Sequence, residues 1–303
     1  MFTKLLIANR GEIAVRIART CREMGIHTIA VYEQADRRSL HVRLADECVL
    51  VPSSETFTDP DAVVGIAKAR GADAIHPGIG FLAEDPRLIT ACQRAGLVFI
   101  GPSAEVVQLT RNKIAALEHA RSAGFQTVDF LSHEFGPEDA REAESAAASL
   151  GLPLIVKSRY GGRGSGQRLV RNAADLGDAI RRAQVESVRV YGDAHIYFER
   201  AMRDVHQIGV QVLGDSDGRY VHLGERDGSA IEGNRKIIDE SPSPALTDAQ
   251  RDQLYADALD LSRLFDCRGA VTVEFLVNEH GQSFFTEIKP RLQTDHPLSE
   301  MVY

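Results

Sequence analysis

Two glutamates near the end of the chain are placed to hold a positively charged group. Val271 to Val277 and Ser283 to Lys289 are β-rich runs separated by Asn278-Glu279-His280-Gly281, the pattern of an antiparallel hairpin. With Asn278 pairing Gly281 across a two-residue loop, Thr272 opposes Glu287 and Glu274 opposes Phe285. Glu274 and Glu287 then share a face as diagonal neighbours, roughly 7–8 Å apart at Cα. A one-residue slip in the loop would turn Glu287 to the other face. Val273, Phe275, Val277 and Ile288 supply one apolar face, and Leu276 and Phe285 add apolar bulk beside the acids. Carboxylates in such surroundings need a partner. A hard divalent cation completed by phosphate oxygens is one. The ammonium of Lys289, on the same face, is another, and a plain solvated sheet face is the third reading.

The elements that must position this hairpin begin at the N-terminus. Leu5 to Ala8 reads as a short buried strand, Asn9-Arg10-Gly11 as a turn, and Ile13, Ile17 and Cys21 fall at helical spacing. A second strand lies within residues 27–38 and ends in a polar turn, which completes a βαβ unit. Its first turn sits at the carboxyl end of a parallel strand, where such sheets bind ligands. Gly11 lacks the GxGxxG spacing, which favours a structural turn over a phosphate contact. The alternation continues through residues 45–52, a helix from Asp61 to Arg70, a strand from Asp73 to His76, a helix from about Asp85, and a strand and turn at 96–103. The first ~100 residues thus form one doubly wound α/β unit. His76, before Pro77-Gly78, reads as a structural cap, with a catalytic role as the alternative.

The chain has 303 residues, enough for two domains or three small ones with sizeable cores. A formal net charge of −8 argues against a nucleic-acid partner, though not against a local basic pocket. Cys21, Cys48, Cys92 and Cys267 are far apart and form no CxxC, so reduced thiols in a cytoplasmic protein are expected. No apolar run approaches the ~18 residues of a membrane span. Beyond residue 100 a helical pattern runs from Ala104 to Ala123 and another from Phe135 to Leu150. Leu154 to Lys157 and Gln167 to Val170 read as strands joined by the glycine-rich stretch Ser158 to Gly166. Such a loop can aim several N–H groups at phosphate oxygens, with Lys157 adding a charge at its base. Gly161, Gly162, Gly164 and Gly166 suit that use, and a glycine-rich hairpin of no function is the alternative.

IANRGEIAVRIAR, the ADRR turn near Asp36, HPGIGFLAED and FIGPS, in that order, resemble the N-terminal domain of biotin carboxylase, and the match runs on to residue 303. The resemblance implies a doubly wound parallel α/β domain over 1–112, then an ATP-grasp fold over 113–303. The latter would comprise two α+β subdomains, with a glycine-rich lid at about 130–203. The family's further C-terminal domain, with its biotin-contacting arginine and dimer surface, is not expected within these residues. The implied activity is a ligase that activates bicarbonate with ATP and Mg²⁺ to carboxylate biotin, free or on a carrier domain. The implied partners are other carboxylase subunits or further copies of the chain, with neither nucleic acid nor membrane.

Carried over residue by residue, Lys113 is a first lysine on the nucleotide phosphates, followed by Lys157 and the glycine loop. Glu199, Arg200 and Met202 match the hinge that meets adenine and ribose. Glu274 and Glu287 match the metal ligands. Lys236, Arg291, Gln293 and the Thr294 backbone match the bicarbonate pocket, and Asp295 takes the place of the glutamate general base. Departures accompany these matches. Tyr160, Arg163, Ser165 and Gln167 intrude on the glycine loop, Gln207 and Gly209 replace a histidine and a glutamate, and Asn234-Arg235 replace His-Gln. Lys289 replaces an asparagine ligand. Its ammonium has no lone pair to donate and repels a divalent ion by several kcal/mol at ~4 Å and an effective dielectric near 20, so at most one weakly held ion is expected. Asp295 is one methylene shorter than glutamate, and ~1 Å of misplacement can cost about a hundredfold in rate. Two other functions fit these departures: a nucleotide-binding paralogue that regulates or scaffolds a carboxylase, and an ATP-grasp ligase for a different carboxylate.

Overall fold

The computed structural model describes residues 2–161, 166–233 and 235–303, without the Arg235 side chain. Gly162 and Gly164, expected at the phosphates, lie outside the described residues, as do Arg163, Ser165 and Asn234. The chain divides into two compact units, Met1–Gln108 with Cys267–Ala270 and Pro290–Thr294, and Leu109–Asp266 with Val271–Lys289 and Asp295–Tyr303.

The first unit contains β1 (Lys4–Ile7), α1 (Gly11–Glu23), β2 (His27–Tyr32), α2 (Leu40–Leu44), β3 (Glu47–Leu50), α3 (Pro60–Ala69), β4 (Ala74–His76), α4 (Pro86–Arg94) and β5 (Val98–Phe99). The strands form a parallel sheet in the order β3-β2-β1-β4-β5. Because alternate strand residues face opposite ways, Leu6 joins Ile29, Val63 and Leu88 in one core, and Leu5 and Ile7 join Ala14, Ile17 and Cys21 in another. Helices therefore cover both faces, as the doubly wound expectation requires. α3 and α4 each start at an Asp-Pro pair. Asp59 accepts from the N–H groups of Asp61 and Ala62, and Asp85 accepts from that of Arg87. Proline follows at a position where no N–H is needed.

In the second unit α5 (Ala104–Arg111), which begins in the first, and α6 (Lys113–Ser122) are two helices rather than the single one expected. Asn112 breaks the run, and its side chain accepts from Ala115 N at 3.1 Å. The helix expected from Phe135 begins only at Ala140, as α7 (Ala140–Leu150). β6 (Leu154–Ser158), β7 (Arg168–Val170), α8 (Leu176–Tyr191) and β8 (Ile196–Arg200) complete a small α+β layer with sheet order β7-β6-β8. Its core joins Leu154, Val156 and Phe198 to Ala143, Ala147, Ile180 and Ala183 of α7 and α8. Lys157 alternates with that set, so it lies on the face turned away from the core.

β9 (Val205–Gly214), β10 (Tyr220–Glu232), β11 (Arg235–Glu240), α9 (Asp248–Leu264), β12 (Gly269–Asn278), β13 (Ser283–Lys289) and α10 (His296–Val302) follow. The five strands form a sheet in the order β11-β10-β9-β12-β13. The β12–β13 register differs from expectation at two places. Asn278 N donates to Gln282 O at 3.1 Å, so the loop holds three residues, ending in Gly281 at φ +76°. That slip alone would have turned Glu287 away from Glu274. A bulge between Glu274 and Phe275 restores it, because Phe275 pairs Phe285 whereas Glu274 pairs Glu287 directly. Thr286 is the extra residue, and its hydroxyl donates to Glu274 O at 3.0 Å. The two acids are thus directly opposed rather than diagonal. Among the described residues no helix is long and apolar enough to cross a membrane, and all four cysteines are free.

Candidate active site

In the second unit four lysines each meet a carboxylate. Lys113 stands at the first position of α6, made possible by the Asn112 break, with only 5% of its surface exposed. Its Nζ donates to Glu287 Oε2. Lys157 lies on β6 opposite Tyr197, and its Nζ is 2.5 Å from Glu199 Oε2 on β8. The Tyr197 hydroxyl donates to the other oxygen of Glu199 at 2.5 Å. Burial and the Glu199 carboxylate push that phenol well above its usual pKa, so it stays a donor. On β11, Lys236 Nζ reaches Asp295 Oδ2 at 3.1 Å and Asp239 Oδ1 at 3.2 Å.

Lys289 supplies the fourth pair. Its Nζ donates to Glu274 Oε1 at 2.8 Å and lies 3.6 Å from Glu287 Oε1. Burial works against the charge on Lys289, but Glu274 and Glu287 outweigh it and hold the ammonium pKa above its ordinary value. Burial likewise works against ionised Glu287, and Lys113 and Lys289 outweigh it, so the carboxyl stays far below its usual range. The resemblance makes these acids metal ligands on a shared face. They do share it, but as they stand they do not fit a divalent ion. Three of their four oxygens face ammonium groups, leaving Glu274 Oε2 buried without a hydrogen bond. No group of three or more potential ligands comes together among the described residues.

Asp295 opens α10, and burial pushing its pKa up is outweighed by Lys236, Arg226 and Lys289, which keep it ionised. The motifs do not single out Arg226, although three consecutive charges, Glu225-Arg226-Asp227, stand inside the long strand β10. It is 1% exposed and donates to Gln211 Oε1 at 3.0 Å, Thr272 Oγ1 at 3.0 Å and Ser299 Oγ at 2.7 Å. Its guanidinium also lies 3.9 Å from Asp295 Oδ1. Its neighbours Glu225 and Asp227 are satisfied separately: Arg251 donates to Glu225 at 2.9 Å, and Ser243 donates to Asp227 at 2.7 Å.

The glycines explain how close these groups come. A Cβ on Gly161 would lie 2.2 Å from Lys113 Cε, and one on Gly209 would lie 3.2 Å from Glu274 Oε1. Gly166 adopts φ +72°, which favours glycine. In Gly161→Ala the flexible lysine tail has to give way rather than the backbone. The expected result is a folded protein whose ADP affinity, measured by titration calorimetry, falls about tenfold (about 1.4 kcal/mol). Arg200 pairs with Asp129 at 3.2 Å, and Met202 is half-buried in the connector that follows β8.

Arg291 and Gln293 belong to the first unit, where Arg291 Nε meets Glu84 Oε1 at 2.7 Å and Gln293 is buried. In the same unit Asn9 bridges the ends of two strands, donating to Pro77 O at 2.8 Å and Ile79 O at 2.9 Å. His76 Nδ1 accepts from Gly78 N at 2.9 Å, and burial lowers its pKa to about 4. The unfolded chain, with the ordinary value of 6.5, binds the proton more readily. Stability from His76 is therefore complete above pH 6.5 and is lost as pH falls towards 4. His76→Asn keeps the acceptor without the titration. Between pH 7.5 and 5.5 its urea midpoint is expected to change less than that of the wild type.

Residues 1–107 match the biotin carboxylase N-terminal domain, and residues 112–303 match the carbamoyl-phosphate synthase L chain ATP binding domain. Biotin carboxylase from Pseudomonas aeruginosa is 39% identical over 305 residues, covering 100% of this chain and 68% of that protein. The chain belongs to the biotin carboxylase family. Biotin carboxylase 1 from Bacillus subtilis is 40% identical over 306 residues, with 100% and 68% covered. Among solved structures, the biotin carboxylase domain dimer of Hydrogenobacter thermophilus 2-oxoglutarate carboxylase superposes with a TM-score of 0.95 at 36% identity, over 100% of this chain and 67% of that one. That domain was crystallised with MgADP, ADP and bicarbonate. Within the biotin carboxylase family, then, the fold here is the shared one.

Proposed function

We propose that this chain activates bicarbonate with ATP and passes the carboxyl group to biotin. ATP is the cofactor, and a biotin carrier domain in the cytoplasm is the partner. The observation that carries the reading is the ion pair between Lys236 on β11 and Asp295 at the start of α10, 3.1 Å apart, in the unit that also holds the Lys289–Glu274 and Lys113–Glu287 pairs. Asp295, held ionised, takes the proton from bicarbonate. The freed bicarbonate oxygen attacks the γ-phosphorus, and the bond from that phosphorus to the bridging oxygen of ADP breaks. Lys113, Lys157 and Lys236 face the charge that builds on the phosphoryl oxygens. The carboxyphosphate formed splits into phosphate and CO₂; the phosphate takes the N–H proton of a biotin ring nitrogen as that nitrogen bonds to the carbon of CO₂. Arg291 and Gln293 are assigned to bicarbonate on their match to the family motif. ADP release that requires bicarbonate and rises with free biotin supports this reading, and release indifferent to bicarbonate refutes it.

A second reading, a nucleotide-binding subunit without turnover, is favoured by one observation: Lys289 lies between the two acids. Tight ADP binding with no bicarbonate-dependent hydrolysis would select it.

A further inference from the structure

We propose that the Lys289 ammonium is the resident cation of the Glu274–Glu287 pair, so that the chain holds nucleotide with no divalent ion bound between those acids. The inference rests on the nucleotide-site reading above, and it concerns what the acids hold.

Register places the three groups together. Thr272 pairs Lys289 and Glu274 pairs Glu287, so Lys289 and both acids project from one face at successive alternate positions. Lys289 Nζ is within hydrogen-bond distance of Glu274 Oε1, at 2.8 Å, and 3.6 Å from Glu287 Oε1, which is where an ion shared by the two carboxylates would sit. The Glu274 side chain is 1% exposed and that of Lys289 18% exposed, so the lysine has little room to swing aside. Glu287 turns its second oxygen to Lys113, whose side chain is 6% exposed. Two acids thus face two ammonium groups and the charge is already balanced. A divalent ion would leave an excess of two positive charges among poorly hydrated groups. The surroundings agree: Gly209 offers no further carboxylate, and a side chain there would press on Glu274 Oε1.

Replacing a divalent ion by an ammonium also changes what reaches the nucleotide. A lysine can donate its three N–H groups to carboxylate and phosphate oxygens, but unlike a metal ion it cannot accept a lone pair from them. Lys113, Lys157 and Lys289 would meet the phosphates directly, each as a point charge.

The test counts metal without nucleotide. Mn²⁺ is titrated into the metal-free chain, and the free ion is followed by its paramagnetic resonance signal. The wild type is expected to take up no stoichiometric Mn²⁺, whereas Lys289→Asn takes up one equivalent at least about tenfold more tightly. One tightly held Mn²⁺ in the wild type overturns the proposal, as does a folded Lys289→Asn that gains none. Should Lys289→Asn not fold, the wild-type titration still decides. In a second arm ADP is titrated calorimetrically in EDTA and in Mg²⁺, with wild-type affinities expected within about threefold of each other. Dependence on Mg²⁺ overturns the proposal. No ADP binding in either buffer refutes the nucleotide site itself, while the Mn²⁺ count still decides what the acids hold.

Discussion

Asp295→Asn is expected to lower bicarbonate-dependent ATP hydrolysis by about 10²–10⁴-fold, the range usual for losing a positioned proton acceptor. The substitution keeps the size of the side chain, and an amide oxygen can still accept from Lys236 Nζ, now 3.1 Å from Oδ2. The loss should therefore fall on turnover, with ADP affinity and melting temperature changed little. Asp295→Glu separates reach from charge. If the missing methylene limits the wild type, as ~1 Å of misplacement can, the glutamate variant turns over faster. Full activity in Asp295→Asn would remove this residue from the proton transfer.

Arg226→Met should produce the largest loss of stability. The arginine is buried and serves Gln211, Thr272 and Ser299 while facing Asp295. Methionine matches the length of the stem but leaves those acceptors without their donor and takes one of the nearby positive charges from Asp295. Breaking a buried charged network from one side costs about 3–5 kcal/mol. For a unit of this size that corresponds to a fall in melting temperature of about 6–20 °C. Arg226→Lys keeps the charge without the planar fork, so it should recover only part of the loss. A fall below about 1 kcal/mol in urea unfolding would show that the network does not hold the sheet together.

Much of this arrangement was legible in the chain. The parallel unit followed from apolar strands alternating with helical spacing, and the helices expected from Asp61 and from about Asp85 start within a residue of those positions, at Pro60 and Pro86. The shared face of Glu274 and Glu287 was anticipated, but through a different register. Asn278 sets the longer loop, because its side chain accepts from both His280 N and Gln282 N at 3.0 Å. The compensating bulge at Thr286 leaves no trace in a period-2 pattern, since Phe284 and Phe285 are both apolar. The break at Asn112 was hidden for a similar reason: helical spacing continues on either side, and only the cap geometry separates the helices. Arg226 was overlooked because its partners, Gln211, Thr272 and Ser299, are far away in sequence and brought together only by the sheet and α10. Lys289 was visible as a charge among acids. Its distances to both carboxylates required coordinates.

The most direct test of the central claim, that bicarbonate is the nucleophile towards ATP, follows one oxygen atom. With ¹⁸O-labelled bicarbonate and short reaction times, the oxygen that attacks the γ-phosphorus stays with phosphate when carboxyphosphate splits. One ¹⁸O in each inorganic phosphate formed is the expected result. Phosphate that instead carries its new oxygen from solvent water would contradict the account.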